Sequence, residues 1–497
     1  MLFLPIFVTL NLADPGMKLI NPLIILRILS TILLIESLLY LFCLPVAVIY
    51  NESPDPFLWS SVIAGLIYMV LRIISWKADI EKIGNRDGYL AVTLSWLIFS
   101  LMGSLPYLLS GTIPSFIDAF FESASGFTTT GSSILSNVEI LPFSILFWRS
   151  LTHWIGGLGI VVLVIIILPS LRITNYHLFS LESSLKEKIH PKTKAIGYRL
   201  LLIYIGLTLT EIFLLSLGDM NIFESICHTF GTVATGGFST KNQSIAFFSA
   251  YSQYIIMIFM FLAGVSFVVY YYVIKLSFRK VLQNEELWFY LTTIIITGAI
   301  VTFILVAKST RPFETAFRDG FFQVISIVTT TGYSNSNYLL WPLPLVILIF
   351  LLCFTGASTG STTGSIKMGR HLLVVKNIRS VFKKILHPNV VSQIKLNGKT
   401  LPWNANVSIL SFVIIYLFIF VVATIIITIV GTDPVTSASA VASSLGNIGP
   451  GIGLVGPLHN YSHMPEISKV FLSLLMIIGR LEIITVFVIF TRAFWKV

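Results

Sequence analysis

Thr128-Thr-Thr-Gly131-Ser-Ser, Ala234-Thr-Gly-Gly237-Phe-Ser, Thr329-Thr-Thr-Gly332-Tyr-Ser and Gly446-Asn-Ile-Gly449-Pro-Gly are the stretches whose reading decides the fold. Each is a short Gly/Thr/Ser-rich segment inside strongly apolar sequence, and their surroundings can be laid over one another. Two places before the glycine stand Thr129, Thr235, Thr330 and then Asn447; thirteen places before it stand Asp118, Glu224 and Asp319, with Thr436 breaking the pattern. Twelve places before it the residue is always small: Ala119, Ser225, Gly320 and Ser437. Four copies of apolar helix, loop and apolar helix in one chain imply four walls around one axis. Backbone carbonyls converging on such an axis replace the water shell of an alkali cation.

Working outward, each copy follows one grammar. A spanning helix ends, a turn follows (Pro114, Asp219, Pro312, Asp433 with Pro434), a short helix returns toward the glycine, and a second span crosses back. The returning segment is too short to span about 30 Å of hydrocarbon, so it is re-entrant. Irregular backbone at membrane depth is tolerated only where it is buried in protein or lines a watery cavity. The expected spans are Leu23–Tyr50, Phe57–Trp76, Tyr89–Ser110, Phe143–Leu168, Ile196–Leu217, Tyr251–Leu276, Leu287–Ala307, Leu343–His371, Val407–Val430 and Ile467–Phe490. The fold class is therefore an all-α polytopic membrane protein: four repeats of helix, re-entrant pore loop and helix, plus an N-terminal helix pair. The implied division is 1–82 for a tail and the extra pair, then repeats at 83–190, 191–282, 283–400 and 401–497.

Composition agrees. Of 497 residues, 55% are hydrophobic and only 11% charged, less than half the usual share of about a quarter. The net charge of +10 sits where topology needs it rather than where nucleic acid would. With the glycine loops outside, the basic groups Arg72 to Arg86, Arg172 to Arg199, Lys275 to Lys280, Lys367 to Lys399 and Arg492/Lys496 fall inside. The outer side carries Glu52, Asp55, Asp118, Glu122, Glu139, Asp219, Glu224, Glu314, Asp319 and Asp433, an electronegative face expected to gather cations at the mouth. Cys43, Cys227 and Cys353 are odd in number and far apart, which indicates neither a disulfide framework nor a metal cluster. The first dozen residues are taken as a short tail, with Met17 as an alternative start.

Two departures from the repeat mark candidate controls. Thr355-Gly-Ala-Ser-Thr-Gly-Ser-Thr-Thr-Gly364 interrupts the second span of the third copy below its pore loop. It is read as a flap across the cavity, hinged on Gly356, Gly360 and Gly364, against the alternative of a kinked static helix. Arg480 lies mid-span in Gly479-Arg-Leu-Glu482 and must face a polar cavity or a partner. Glu482, two places on, falls on nearly the opposite helix face and suits it poorly. Glu36 and Glu211 lie alone in spans; His228 is expected to make an ordinary hydrogen bond, and His153 and Arg149 to brace the pore loop. Gly451-Ile-Gly-Leu-Val-Gly456 matches the dinucleotide fingerprint but lacks its strand and helix. No cluster of acid, base and nucleophile suggests an enzyme, and no cofactor is expected.

These residues, with His153-Trp-Ile-Gly-Gly-Leu-Gly159, resemble the Trk/Ktr/HKT potassium-transport superfamily, and within it most closely the bacterial Trk-type membrane subunit. The resemblance covers nearly the whole chain. It implies a filter built from Thr129, Thr130, Gly131; Thr235, Gly236, Gly237; Thr330, Thr331, Gly332; and Asn447, Ile448, Gly449. It further implies a gate at Gly356, Gly360, Gly364 and Arg480, a homodimer with one pore per chain, and a bacterial inner-membrane location. The expected partner is a cytosolic ring that binds nicotinamide or adenine nucleotides (NAD or ATP). Glycine at position 131 favours potassium, whereas Pro450 removes a donor and restricts the fourth loop, predicting only moderate discrimination against sodium. Symport coupled to protons or sodium is the alternative, with Glu36 or Glu211 as coupling groups.

Overall fold

The computed structural model describes residues 20–79, 83–162, 189–309, 311–390 and 393–496. The expected tail with Met17 and the basic stretch 172–188 lie outside the described residues. Helices follow the sequence grammar: an N-terminal pair (Pro22–Leu41 continued by Leu44–Ile49, then Asp55–Ile74) precedes four repeats. The pair packs through small residues. Ser37 and Ser61 each donate to the other's carbonyl, at 2.9 and 3.0 Å, the close approach that small residues permit in lipid. The opposite face of the second helix leaves Val62, Leu66, Met69, Val70 and Ile73 exposed, where lipid is their solvent.

The first spans of the repeats are Asn85–Met102, Ile189–Ser216, Glu285–Lys308 and Trp403–Ile429, and the half-helices are Phe116–Phe127, Ile222–Val233, Phe313–Val328 and Pro434–Gly446. The aligned positions thirteen before each glycine now have a local meaning. In repeats one, two and four this residue is in the first turn of the half-helix, and its N–H is capped by Ser115 (3.4 Å), Asn221 (2.8 Å) and Asp433 (2.9 Å). The third half-helix starts a turn earlier, after Pro312, which leaves Asp319 in its interior. The small residue that follows is buried in all four copies; a side chain at Gly320 would meet Val301 and Thr302 of its own first span.

Besides the interruption expected in repeat three, two further second spans are broken. Among the described residues, that of repeat one is a single helix, Phe143–Val162. In repeat two, Ala250–Ala263 and Phe267–Ile274 meet at 94°; in repeat four, Glu466–Arg480 and Ile484–Phe490 meet at 105°. In repeat three the expected span Leu343–His371 is two helices, Leu343–Leu352 and Met368–Leu386, joined by irregular backbone. Among the described residues six helices are long and apolar enough to cross a membrane, or up to eight counting each bent pair once. The ten expected spans also counted Phe143–Leu168, of which the helix Phe143–Val162 carries Arg149 and His153, and the interrupted span that opens with Leu343–Leu352.

Candidate cation pore

The four half-helices end in loops with one shared backbone. Thr129, Thr235, Thr330 and Asn447 have φ of 52, 56, 54 and 54°, and Gly131, Gly237, Gly332 and Gly449 have φ of 82, 81, 81 and 101°. A left-handed residue, one further residue and a left-handed glycine form a path costly for side-chain-bearing residues. The loops close a ring. A Cβ built on Gly131 would strike the carbonyl oxygen of Gly236, one on Gly237 that of Thr331, one on Gly332 that of Ile448, and one on Gly449 that of Thr130. Each glycine therefore abuts the carbonyl before the next loop's glycine, in the order one, two, three, four and back to one. That cyclic contact places all four loops around one axis.

The carbonyls of this ring have an unusual status. Buried backbone carbonyls are normally paired. Among the described residues, those of Thr129, Thr130, Gly131, Thr235, Gly236, Gly237, Thr330, Thr331, Gly332, Asn447 and Ile448 accept no hydrogen bond. The exception is Gly449, whose carbonyl takes hydroxyls from Ser443 (2.6 Å), Tyr461 (3.0 Å) and Ser132 (3.2 Å). Pro450 follows it directly, as the sequence singled out, and fixes the geometry of that peptide. Side chains behind the loops hold the strands. The residue nine before the glycine bonds to the serine two after it: Glu122 to Ser133 at 3.0 Å, His228 to Ser239 at 3.0 Å, and Gln323 to Ser334 at 3.4 Å. In the fourth copy Ala440 cannot do this, and Ser439 accepts from Ile452 N instead, at 2.5 Å.

Arg149 and His153 stand where bracing was expected. Arg149 pairs with Glu122 at 2.8 Å and lies 4.0 Å from the Phe238 ring centre, joining the first loop to the second. His153 stacks on Phe238 and fills the space a Gly236 side chain would need. The remainder of the His153–Gly159 motif is close packing: Gly156 abuts the Phe127 carbonyl, and Gly157 abuts Ala234 and the Tyr204 hydroxyl. His228 is satisfied by Glu224 O (2.8 Å) and Ser239 Oγ (3.0 Å), as expected of an ordinary buried histidine.

On the outer side, residues following the glycines line a vestibule of about 180 Å³ that includes Gly131, Gly237, Gly332 and Gly449. On the inner side lies the interrupted span of repeat three. Its residues 356–366 are fully buried and non-helical, which discards the kinked-helix alternative. Thr362 Oγ1 sits 3.3 Å from Thr235 Oγ1 and donates to Val233 O; Gly364 N donates to Thr330 Oγ1 at 2.9 Å, and Gly364 abuts Gly446 O and Asn447. The segment thus underlies pore loops two, three and four. Arg480 bolts it in place, donating to Thr362 O at 2.6 Å and to Gly156 O at 3.1 Å. Its partners are carbonyls, not a carboxylate. Of the expected gate glycines, Gly356 (φ 67°) and Gly360 (φ 82°) take left-handed turns, and Gly364 supplies close contact.

A family model described as TrkH, cation transport protein, matches residues 61–496. The chain belongs to the TrkH family of cation transport proteins. It is 33% identical to the Trk system potassium uptake protein TrkH of Salmonella typhimurium over 463 residues, 91% of this chain and 94% of that one. It is 30% identical to TrkI, another Trk system potassium uptake protein, of Halomonas elongata, over 95% of this chain and 96% of that one. The crystal structure of the potassium transporter TrkH from Vibrio parahaemolyticus superimposes with a TM-score of 0.87 at 30% identity, covering 96% of this chain and all of that one.

Within this TrkH-family fold one expectation needs correction. The outer carboxylates do not line the vestibule itself. The vestibule lining holds no carboxylate among the described residues and instead includes Arg149 and Lys241. Asp118 pairs with Lys469 (2.7 Å), Glu224 with Lys241 (3.0 Å) and Asp319 with Arg311 (2.6 Å), while Glu52 accepts from the start of the Phe143 helix. They serve structure, because a carboxylate near lipid needs a donor or a cation. Glu36 lies 3.2 Å from the Tyr40 hydroxyl. Glu211 is buried with both carboxyl oxygens unpartnered among the described residues, and the nearby Thr232 hydroxyl goes to His228 O. No group of three or more His, Cys, Asp or Glu suited to a metal occurs among the described residues. Gly453–Val455 is a single 3-10 turn, so the apparent dinucleotide fingerprint is part of the fourth pore loop's return.

The contacts least legible beforehand are Glu286, Lys367, Arg370 and Glu482. The two cations fall within an inner basic group, and Glu286 stands out in no motif of the sequence. The nine-before, two-after pairing was visible in the alignment of the copies and would have identified the loop braces.

Proposed function

We propose that this chain carries potassium inward across the bacterial inner membrane through one gated, selective pore, down the electrochemical gradient. The observation that carries this is the ring of buried carbonyls, closed loop to loop, that with the exception of Gly449 accept no hydrogen bond among the described residues. A dehydrated alkali cation on the axis is the partner such oxygens lack. The half-helices add to it: their C-terminal ends, each with about half a negative charge, point at the same axis. The filter residues are Thr129, Thr130, Gly131, Thr235, Gly236, Gly237, Thr330, Thr331, Gly332, Asn447, Ile448 and Gly449, one set from each repeat (83–190, 191–282, 283–400, 401–497). The segment 355–364 under them, with Arg480 on its tip, is the gate. The relatives named as Trk system potassium uptake proteins support the choice of cation. The chain works as a homodimer with a cytosolic nucleotide-binding ring as regulator, and takes no cofactor itself.

The test is rubidium-86 uptake into liposomes holding the purified chain, with potassium and sodium as competitors. Potassium blocking at lower concentration than sodium, with flux lost in Gly237→Asp, is the expected result. Flux that persists in folded Gly237→Asp protein would sink the pore assignment. Proton coupling is the second reading, favoured by the buried and unpartnered Glu211. Glu211→Gln that conducts but no longer accumulates rubidium against its gradient would establish it.

A further inference from the structure

The gate segment is held at three places, and two of them belong to one broken helix. Arg480 grips the tip through Thr362 O. Glu482, two residues on, takes Lys367 at 3.1 Å and Arg370 at 2.7 Å, both just past the segment's exit. In a continuous helix residues two apart face nearly opposite ways. Here the helix ends at Arg480, and Glu482 adopts φ 57°, so both side chains reach the same segment. The segment's exit is also in costly backbone: Ser365 has φ 58° and Lys367 φ 73°. The third hold is Glu286, whose Oε1 accepts from Thr359 N (2.5 Å), in the middle of the segment, and from Gly369 N (2.9 Å), just past its exit, tying both to the first span of repeat three. Arg370 is further seated 3.8 Å from the Phe412 ring centre.

Beyond Glu482 the chain leaves at 105° as Ile484–Phe490, and its last turn is fastened where Arg86 donates to Ala493 O (3.3 Å) and Lys496 O (2.8 Å). Strained residues that are not glycine, ion-paired across two elements at a sharp bend, are what a two-state joint requires.

We propose that the bent C-terminal part of the last span is the lever of the gate, with Glu482 as the positioning residue that couples it to the exit of segment 355–364 and Glu286 as its fixed anchor. Drawing the C-terminal arm away separates Glu482 from Lys367 and Arg370, and the exit strand, no longer held, relaxes out of its left-handed geometry. This rests on the reading of 355–364 as the gate of a pore.

The test is partner-free rubidium-86 uptake by reconstituted full-length Glu482→Gln, which keeps the side chain's shape and removes its charge. Unaided flux rises about tenfold or more, the shift that about 1.4 kcal/mol of lost latch produces. The ratio of potassium to sodium competition stays unchanged, because the filter is untouched. The charge-reversed pair Glu482→Arg with Arg370→Glu brings unaided flux back toward the parent level, which a merely structural loss would not do. Lys367→Gln with Arg370→Gln is the parallel variant should Glu482→Gln fail to fold. Flux at or below the parent level in either folded variant overturns the proposal. A raised flux that survives the addition of Gly237→Asp is not flow through the pore and overturns the underlying reading instead.

Discussion

The four pore loops and the four second spans come from the same repeats, yet one set is nearly uniform and the other is not. At the loops, sequence diverges as far as Thr-Thr-Gly against Asn-Ile-Gly, while φ at the residue two before the glycine stays between 52 and 56°. In the second spans, one is described as a single helix, Phe143–Val162, two are bent by 94 and 105°, and one is interrupted. The contrast teaches where symmetry is required. A cation on an axis would be coordinated from every side, which favours one shared backbone in the loops that reach it. Opening and closing need no such symmetry, and the proposed gate lies where the repeats part company.

The first way to break the comparison is at the uniform set. Gly237→Ala places a Cβ against the Thr331 carbonyl at φ 81°, and potassium-competed uptake falls by about a hundredfold or more because neither space nor backbone allows it. The same change at Gly449 sharpens the point. Its Cβ would lie 2.7 Å from Thr130 O, and its carbonyl is already turned to three hydroxyls. Uptake in Gly449→Ala is expected to stay within about tenfold of the parent, with the larger change in potassium-to-sodium preference.

The non-uniform set gives the next largest effect. Arg480→Ala removes two hydrogen bonds that pin the gate segment, and unaided flux rises about tenfold by shifting the closed population. Equal flux in parent and variant, read in the same liposomes, would detach Arg480 from gating. The smallest effect belongs to the frame. Asp433 caps the fourth half-helix through Thr436 N, and Asp433→Ala costs about 1 kcal/mol in thermal or denaturant unfolding. The Thr436 N–H holds its carboxyl below the usual aspartate range. A depressed folded-state pKa means the stabilisation is fully present at neutral pH. It is lost as pH falls below about 4, so parent and variant converge in acid.

Much of this was legible from residues alone, for reasons the structure makes plain. Gly131, Gly237, Gly332 and Gly449 were identifiable because only glycine tolerates both a positive φ and a neighbour's carbonyl at its Cα. The half-helices were identifiable because their caps and small residues recur at fixed offsets. The bends were not. Gly264 and Ser266 hint at a break in repeat two, but Leu481-Glu-Ile483 carries no glycine or proline, and its bend is held by Lys367 and Arg370 from far along the chain. The acids of the outer face misled for the same reason: Lys469, Lys241 and Arg311 neutralise three of them, and only folding brings Lys469 to Asp118.

The most direct measurement is anomalous diffraction from crystals of the chain grown in rubidium. The account predicts an anomalous peak on the axis at the level of the Thr130, Gly236, Thr331 and Ile448 carbonyls, diminished when potassium replaces rubidium and retained against sodium. A well-ordered ring of those carbonyls with no on-axis peak at saturating rubidium would contradict it.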